Sequence, residues 1–240
     1  MSGLWRAVTS RRSGKWSVWK FNWLANHKIV RALERARPHA HGLLLDVGCG
    51  AKPFAPLFRG HVTHYYGADL PASRDLGRDR PDVFARAEAL PFRDASMDTV
   101  LGVSMLNLLP EPRRMLDEAH RMLRPGGVLI LEFTQMAPAC DGCPDYLRFT
   151  REGSVYLLER AGFEPVDIIP IGGLMARVGL SAIRALNRFN RGRKRVLTEV
   201  PVRLLYVVLQ LLFESLDRAC LDPREVLAHL VVARRRADRT

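Results

Sequence analysis

The stretch that most constrains this chain is LLLDVGCGAKPF, Leu43 to Phe54, an apolar run broken by a paired-glycine turn. Three leucines and Val47 flank Asp46 in the continuous apolar pattern of a strand buried on both faces of a parallel sheet. Gly48 and Gly50 then supply a tight turn in which no Cβ keeps a ligand from the backbone, and Asp46 sets a carboxylate at the carboxyl end of the strand. A Gly-x-Gly turn alone is also found in ordinary strand-to-helix connections. The segments around it decide between the two uses.

A second apolar segment, HYYGADL, reaches Asp69, nineteen residues beyond Gly50. That is close to the spacing at which an acidic residue at the end of the second strand receives the ribose hydroxyls of a nucleoside. VFARAEALPF follows, with Glu88 after a short strand and before a Leu-Pro turn. MDTVLGVSML reads as a strand opened by Asp98, Glu111 to Leu123 as an amphipathic helix, RPGG (Arg124 to Gly127) as a helix stop and turn, and VLILEF as the next buried strand. This alternation over residues 43–134 predicts an α/β fold with an open, doubly wound parallel sheet. A dinucleotide is disfavoured, because the third glycine of G-x-G-x-x-G would fall at Pro53.

Taken together, the DVGCG turn, the LPF segment and the LRPGG turn resemble those of the class I S-adenosylmethionine-dependent methyltransferases. The resemblance implies a seven-stranded Rossmann-like sheet and S-adenosyl-L-methionine as cofactor. It implies cofactor contacts from Asp46, Gly48, Cys49 and Gly50 at the turn, from Asp69 and Leu70 at the ribose, from Ala87 and Glu88 at the adenine, and from Ser104. Asp98, Ser104 and Asn107 are expected on the fourth strand, whose carboxyl end faces the methyl group in this family. A longer resemblance, through DVGCGAKPF, PDYLRFTREG (Pro144 to Gly153) and ERAGFEPV (Glu159 to Val166), is to bacterial methyltransferases associated with cell-envelope polysaccharide or glycolipid assembly. Those relatives commonly carry Leu-Glu-His where this chain has Leu106, Asn107 and Leu108, so an obvious general base is missing.

Methyl transfer from a sulfonium draws much of its rate from holding nucleophile and methyl about 3 to 3.5 Å apart and aligned, so a dedicated base is optional. If one acts, the candidates near the strand ends are Asn107, Glu132, Asp145 and Tyr146. The loop DYLRFT, Asp145 to Thr150, lies just past the fifth strand and is expected to contact the acceptor through Tyr146 and Arg148, together with Asn107, Trp19 and Trp23. His120 on a helix and His229 entering a strand read as structural.

The charge is segregated along the chain: residues 1–40 sum to +8, residues 41–183 to −3 and residues 184–240 to +7. Basic flanks suit an anionic partner, whether phospholipid, a phosphorylated substrate or nucleic acid, and they also suit plain solvation. All four tryptophans fall in the first segment, with Trp16, Trp19 and Trp23 spaced for one helical face among Lys15, Lys20 and Lys28. Ile29 to Arg37 reads as a following helix ended by Pro38. FEPVDIIPI and EVLAHLVVARR read as the sixth and seventh strands, separated by about 55 residues, too long for a plain loop. That insertion contains an amphipathic GGLMARVGLSAIRALNRF, the basic RGRKR from Arg191 to Arg195, and apolar Val202 to Leu216. Such a segment suits a helical cap or an interfacial helix.

The organisation expected is therefore an N-terminal helical extension over 1–40, a cofactor-binding core over 41–171, a helical insertion over 172–226, and a last strand with a basic tail over 227–240. The first forty residues do not read as a signal peptide, and no stretch is long enough to span a bilayer. The four cysteines, with one CxxC at Cys140 and Cys143 and no adjacent histidine, suit reduced cytosolic thiols and no metal site. The predicted protein is a cytoplasmic enzyme, peripheral on the inner membrane face, methylating a small-molecule, glycan or lipid-linked acceptor. The alternatives are an RNA methyltransferase, for which no RNA-binding module is recognisable, and a noncatalytic protein that binds S-adenosylmethionine.

Overall fold

The apolar runs pair into one seven-stranded sheet in the computed structural model, which describes residues 17–71, 80–139, 142–189, 195–220 and 222–236. The strands are β1 (Leu43–Val47), β2 (His64–Asp69), β3 (Val83–Phe84), β4 (Met97–Gly102), β5 (Leu123–Thr134), β6 (Phe163–Ile171) and β7 (Ala228–Arg235), in the order β3-β2-β1-β4-β5-β7-β6. β1 pairs in parallel with β2 on one side and β4 on the other, which sets Val47 beside both Ala68 and Gly102. β5 continues the parallel sheet beyond β4, and β7 runs antiparallel to β5. β1 and β4 are buried almost throughout, and β5 from Gly127 onward, as their largely apolar runs require.

The helices are α1 (Trp23–Ala36), a short α2 (Ala55–Phe58), α3 (Pro112–Met122), α4 (Arg151–Arg160), α5 (Leu174–Phe189) and α6 (Arg195–Ala219). α3 starts at a proline, whose missing N–H is no loss in the first turn, and buries Met115, Leu116, Ala119 and Met122 on one stripe. Thr150 caps α4 by accepting from the Gly153 N–H at 3.0 Å. Gly162, at φ +83°, follows the end of α4 and turns the chain into β6.

The chain divides into two compact units. One is Ala32–Ile169 with Ala228–Thr240 and holds the main apolar core; the other is Met1–Arg31 with Pro170–Leu227. In the second unit Val18, Trp23, Leu24 and Leu180 form a small core of their own, with Leu211 and Phe213 packed against it. The added Cβ at Gly179 would stand 2.5 Å from the Phe213 ring, so a glycine there lets α5 and α6 approach closely.

Five expectations need correction. The tryptophans do not share a helix face: α1 begins only at Trp23, Trp19 lies in the turns before it, and Trp5 and Trp16 lie outside the described residues. α1 is also one continuous helix to Ala36, where two segments were expected. RPGG is not a turn between elements but part of β5, with Gly126 at φ +78° and a register shift against β4 between Met97 and Thr99. Ser104 and Asn107 lie beyond β4, whereas Asp98 is on β4 at its opening end, as expected, where it accepts from the Leu43 N–H at 2.8 Å and pairs with Arg124. Finally, Cys143 is disulfide-bonded while Cys49 and Cys220 are free thiols, so the thiols are not all reduced.

Candidate functional site

The strand order reverses between β1 and β4, and in open α/β sheets ligands bind in the crevice outside the carboxyl ends of the strands at such a point. The glycine turn leaves β1 there, and the Val103–Ser104 segment leaves β4 beside it. Gly48 and Gly50 adopt φ of +71° and +51°, the left-handed region that favours glycine. The turn is pinned to β2, since the N–H groups of Gly48 and Cys49 donate to the Ala68 carbonyl at 2.8 and 3.2 Å. Asp69 adds a strap. Its two carboxylate oxygens accept from the Gly50 N–H at 2.6 Å and the Leu70 N–H at 2.7 Å. A Cβ at Gly48 would lie 2.9 Å from Cβ of Met105, whereas one at Gly50 would meet nothing within 4 Å. Gly48 is thus demanded by packing, while the face of Gly50 is open and a ligand can come against its backbone.

Asp46 is not an open carboxylate. It is 1% exposed, accepts from the Tyr65 hydroxyl at 2.5 Å, and burial pushes its pKa up to about 7. Cys49 packs its sulfur over Gly67, where an added Cβ would stand 2.5 Å away, and burial holds its thiol up at about 12. It is a protonated packing group, not a nucleophile. Lys52 reaches Asp82 at 2.8 Å, and Asp82 also accepts from the Gly67 N–H at 2.7 Å, which ties the turn to the segment entering β3.

Beyond β4 a chain of polar side chains crosses to the DYLRFT loop. Ser104, held at φ +54°, donates to Glu132 at 2.7 Å, and burial raises the Glu132 pKa despite the Ser104 hydroxyl and backbone N–H that favour its charged form. Thr134 lies 3.5 Å from both Glu132 and Asn107, and Asn107 donates to Asp145 at 2.9 Å. Arg148 grips Asp145 with both terminal nitrogens. The Tyr146 and Leu147 N–H groups donate to the Asn107 carbonyl and Phe149 to that of Thr134, so the DYLRFT loop is fastened to the segment that follows β4 and to the end of β5. The structure brings Ser104, Asn107, Glu132, Asp145 and Arg148 into one network, and leaves the Tyr146 ring exposed on its edge.

The remaining candidates are placed as follows. Leu70 is exposed just after β2, Ala87 is buried, and Glu88 pairs with Arg86 at 3.3 Å. The Leu-Pro turn after them is clamped by α3: Glu118 accepts from the Leu90 N–H, and Arg121 donates to the carbonyls of Leu90 and Phe92. Trp19 and Trp23 belong to the other unit, where Trp23 is buried and stacked on His27 with ring centroids 4.7 Å apart and Trp19 is exposed. The Trp23 ring is part of that unit's core. Sequence reasoning missed Tyr65 and Thr134, which contact the candidates Asp46, Asn107 and Glu132, and Asp82, which holds Lys52 and the Gly67 N–H. Tyr65 is half-buried in a strand whose burial does not alternate, so the local pattern held no signal that would have paired it with Asp46.

Comparison with known proteins bears on the same region. Residues 45–131 match the methyltransferase domain family. A methyltransferase of Mycolicibacterium vanbaalenii is 37% identical over 98 residues, covering 38% of this chain and 38% of its own. This chain thus spans about two fifths of the length of the curated relatives it matches first. Among solved structures, the cyclase SpnF superposes with a TM-score of 0.57 at 20% identity, covering 88% of this chain and 81% of its own. A 1,6-didemethyltoxoflavin N1-methyltransferase of Burkholderia thailandensis, solved with S-adenosylhomocysteine, gives 0.52 at 17% identity over 87% of this chain and 77% of its own. Residues 45–131 are thus similar to the methyltransferase domain family, and the seven-stranded sheet that holds them shares its Rossmann-like fold with these solved structures.

Proposed function

We propose that the protein is an S-adenosylmethionine-dependent methyltransferase acting on a small-molecule, glycan or lipid-linked acceptor. The observation that carries the reading is the match of residues 45–131 to the methyltransferase domain, with the glycine turn and Asp69 set together at the reversal of strand order. When bound, S-adenosylmethionine supplies a methyl carbon on a sulfonium, an already activated leaving group. The open backbone face of Gly50 admits the ligand's amino-acid part, and the Asp69 carboxylate, already oriented by the Gly50 and Leu70 N–H groups, is placed for a ribose diol. Ala87 and Glu88 stand at the strand end assigned to the adenine.

On the acceptor side the residues position more than they titrate. Glu132 is buried against Ser104, and burial raises its pKa, while Asp145 is ion-paired to Arg148. Both support catalysis by alignment, with the polar chain from Ser104 to Arg148 fixing the DYLRFT loop around the acceptor. The same arrangement favours, as a second reading, a protein that holds S-adenosylmethionine without methylating, and the cyclase SpnF adopts this fold.

Calorimetric titration of the purified protein with S-adenosylmethionine and S-adenosylhomocysteine tests the cofactor assignment. Micromolar binding is expected, with Asp69→Ala weakening it by about 1 to 3 kcal/mol, about 5- to 150-fold, as a hydroxyl pair loses its charged acceptor. Absence of binding by the folded wild type overturns the reading. Binding without consumption of the methyl donor across phosphorylated, glycosidic and lipid acceptors selects the second one.

A further inference from the structure

Helix α6 is turned inside out. Its buried face carries Gln210, Glu214 and Asp217, which are 0, 2 and 0% exposed. Its outward face carries Leu204, Val208, Leu212 and Leu216, four residues apart and 40 to 60% exposed, with Leu205 beside them. Residues at this spacing form a single oblique stripe about 18 Å long at 1.5 Å per residue. A water-facing helix places its charges outward, whereas this one turns Gln210, Glu214 and Asp217 inward beside Leu211 and Phe213 and leaves a stripe of leucines and a valine outside.

The inward polar face fixes that orientation. Gln210 donates to the Val18 carbonyl at 2.7 Å and accepts from the Leu24 N–H at 3.1 Å. Asp217 accepts from the Gly173 and Ala176 N–H groups at 2.9 Å, capping the start of α5. Lys28 reaches Glu214 at 2.8 Å and Asp217 at 2.7 Å. Rotating α6 to bury its leucines would strand all of these groups, so the apolar stripe faces outward by construction. A contiguous apolar face of this kind marks an interaction surface.

Charge identifies what it meets. Between Pro201 and Leu216 the exposed residues of α6 include Arg203 and no acid, since Glu214 is turned inward. Residues 184–203 hold seven Arg and Lys against one acid, with Arg191, Arg193, Lys194 and Arg195 running directly into the helix. The same unit exposes Trp19 and Phe21 on either side of Lys20, the aromatic and basic mixture of a membrane–water interface. A second copy would present the same positive charge to this face, whereas an anionic bilayer complements both the leucines and the cations. No described helix is long and apolar enough to cross a membrane. We propose that the outward face of α6 is a membrane-docking surface that lies in the headgroup region of an anionic bilayer, parallel to its plane. The inference stands on α6 and the residues around it in the same unit, and does not require the methyl-transfer reading.

Flotation of the full chain with phosphatidylglycerol–phosphatidylcholine vesicles, against phosphatidylcholine alone, tests it. The wild type is expected to float with the anionic vesicles, at least 10-fold more than with neutral ones, and less at high salt. The double variant Val208→Glu/Leu212→Glu alters only exposed positions and is expected to lose at least 10-fold in bound fraction while keeping the wild-type far-ultraviolet circular dichroism and melting curve. Three results overturn the proposal: no binding by the wild type at low salt, binding that the double variant leaves unchanged, or a wild-type dimer in sedimentation velocity that the variant dissociates without any vesicle binding. Should the double variant misfold, Val208→Ser and Leu212→Ser taken singly apply the same criterion with a smaller expected loss.

Discussion

Asp46 stands in the motif that identifies the site, yet its carboxylate faces Tyr65 and the protein interior. Its folded pKa of about 7 lies above the ordinary 3.8, so its contribution to stability is complete below about pH 4 and is lost as pH rises through about 7. The full span corresponds to on the order of 4 kcal/mol. Urea unfolding at pH 5 and pH 8 is expected to show the wild type losing more stability across that interval than Asp46→Asn, which stays neutral and can still accept from Tyr65. An equal slope in both proteins refutes the assignment. The motif predicts where Asp46 sits along the chain, because a strand and a glycine turn are local patterns. Its burial depends on Tyr65 of the neighbouring strand, and local pattern carries no record of which strands become neighbours.

Lys28 plays the corresponding part for the helical elements of the unit built from the N-terminal residues and the insertion. It lies between two carboxylates that are almost wholly buried, and although burial opposes the charged form of Glu214, the contacts from His27 and Lys28 outweigh it and hold that pKa down at about 2. Lys28→Met leaves Glu214 and Asp217 facing each other without their shared cation, and a loss on the order of 3 to 5 kcal/mol is expected in chemical denaturation. Adding Asp217→Asn to Lys28→Met is expected to recover part of that loss, because the carboxylate whose cation has been removed becomes neutral while Glu214 keeps its pair with Arg218; a purely additive double variant rules the coupling out. The amphipathic pattern of residues 202–216 was legible in the sequence, and so was the presence of two helical stretches between β6 and β7. Which face of α6 turns inward was not, because that choice rests on Val18, Leu24 and Lys28, nearly two hundred residues away along the chain.

For the molecule as a whole, a ligand that binds only the folded state raises its stability by mass action. S-adenosylhomocysteine at a hundred times its dissociation constant is expected to add about 2.7 kcal/mol, a rise in Tm of about 5 to 10 °C for a chain of this size, and a flat melting temperature counts against the proposed cofactor. By itself the sequence determined the alternation of strands and helices over residues 43–134, the glycine turn with its acidic residue nineteen positions on, and the segregation of charge into basic flanks around a mildly acidic centre. These are short-range regularities of apolar period, turn chemistry and composition, readable without knowing what touches what. The tertiary structure alone decided that β7 enters the sheet between β5 and β6, that RPGG is absorbed into a bulged β5, and that Ser104, Asn107, Glu132, Asp145 and Arg148 form one network. It alone decided that α6 presents leucines rather than charges to its surroundings. Each of these depends on a partner distant in sequence, and the free energy that selects it arises only when burial and hydrogen bonding bring the two together.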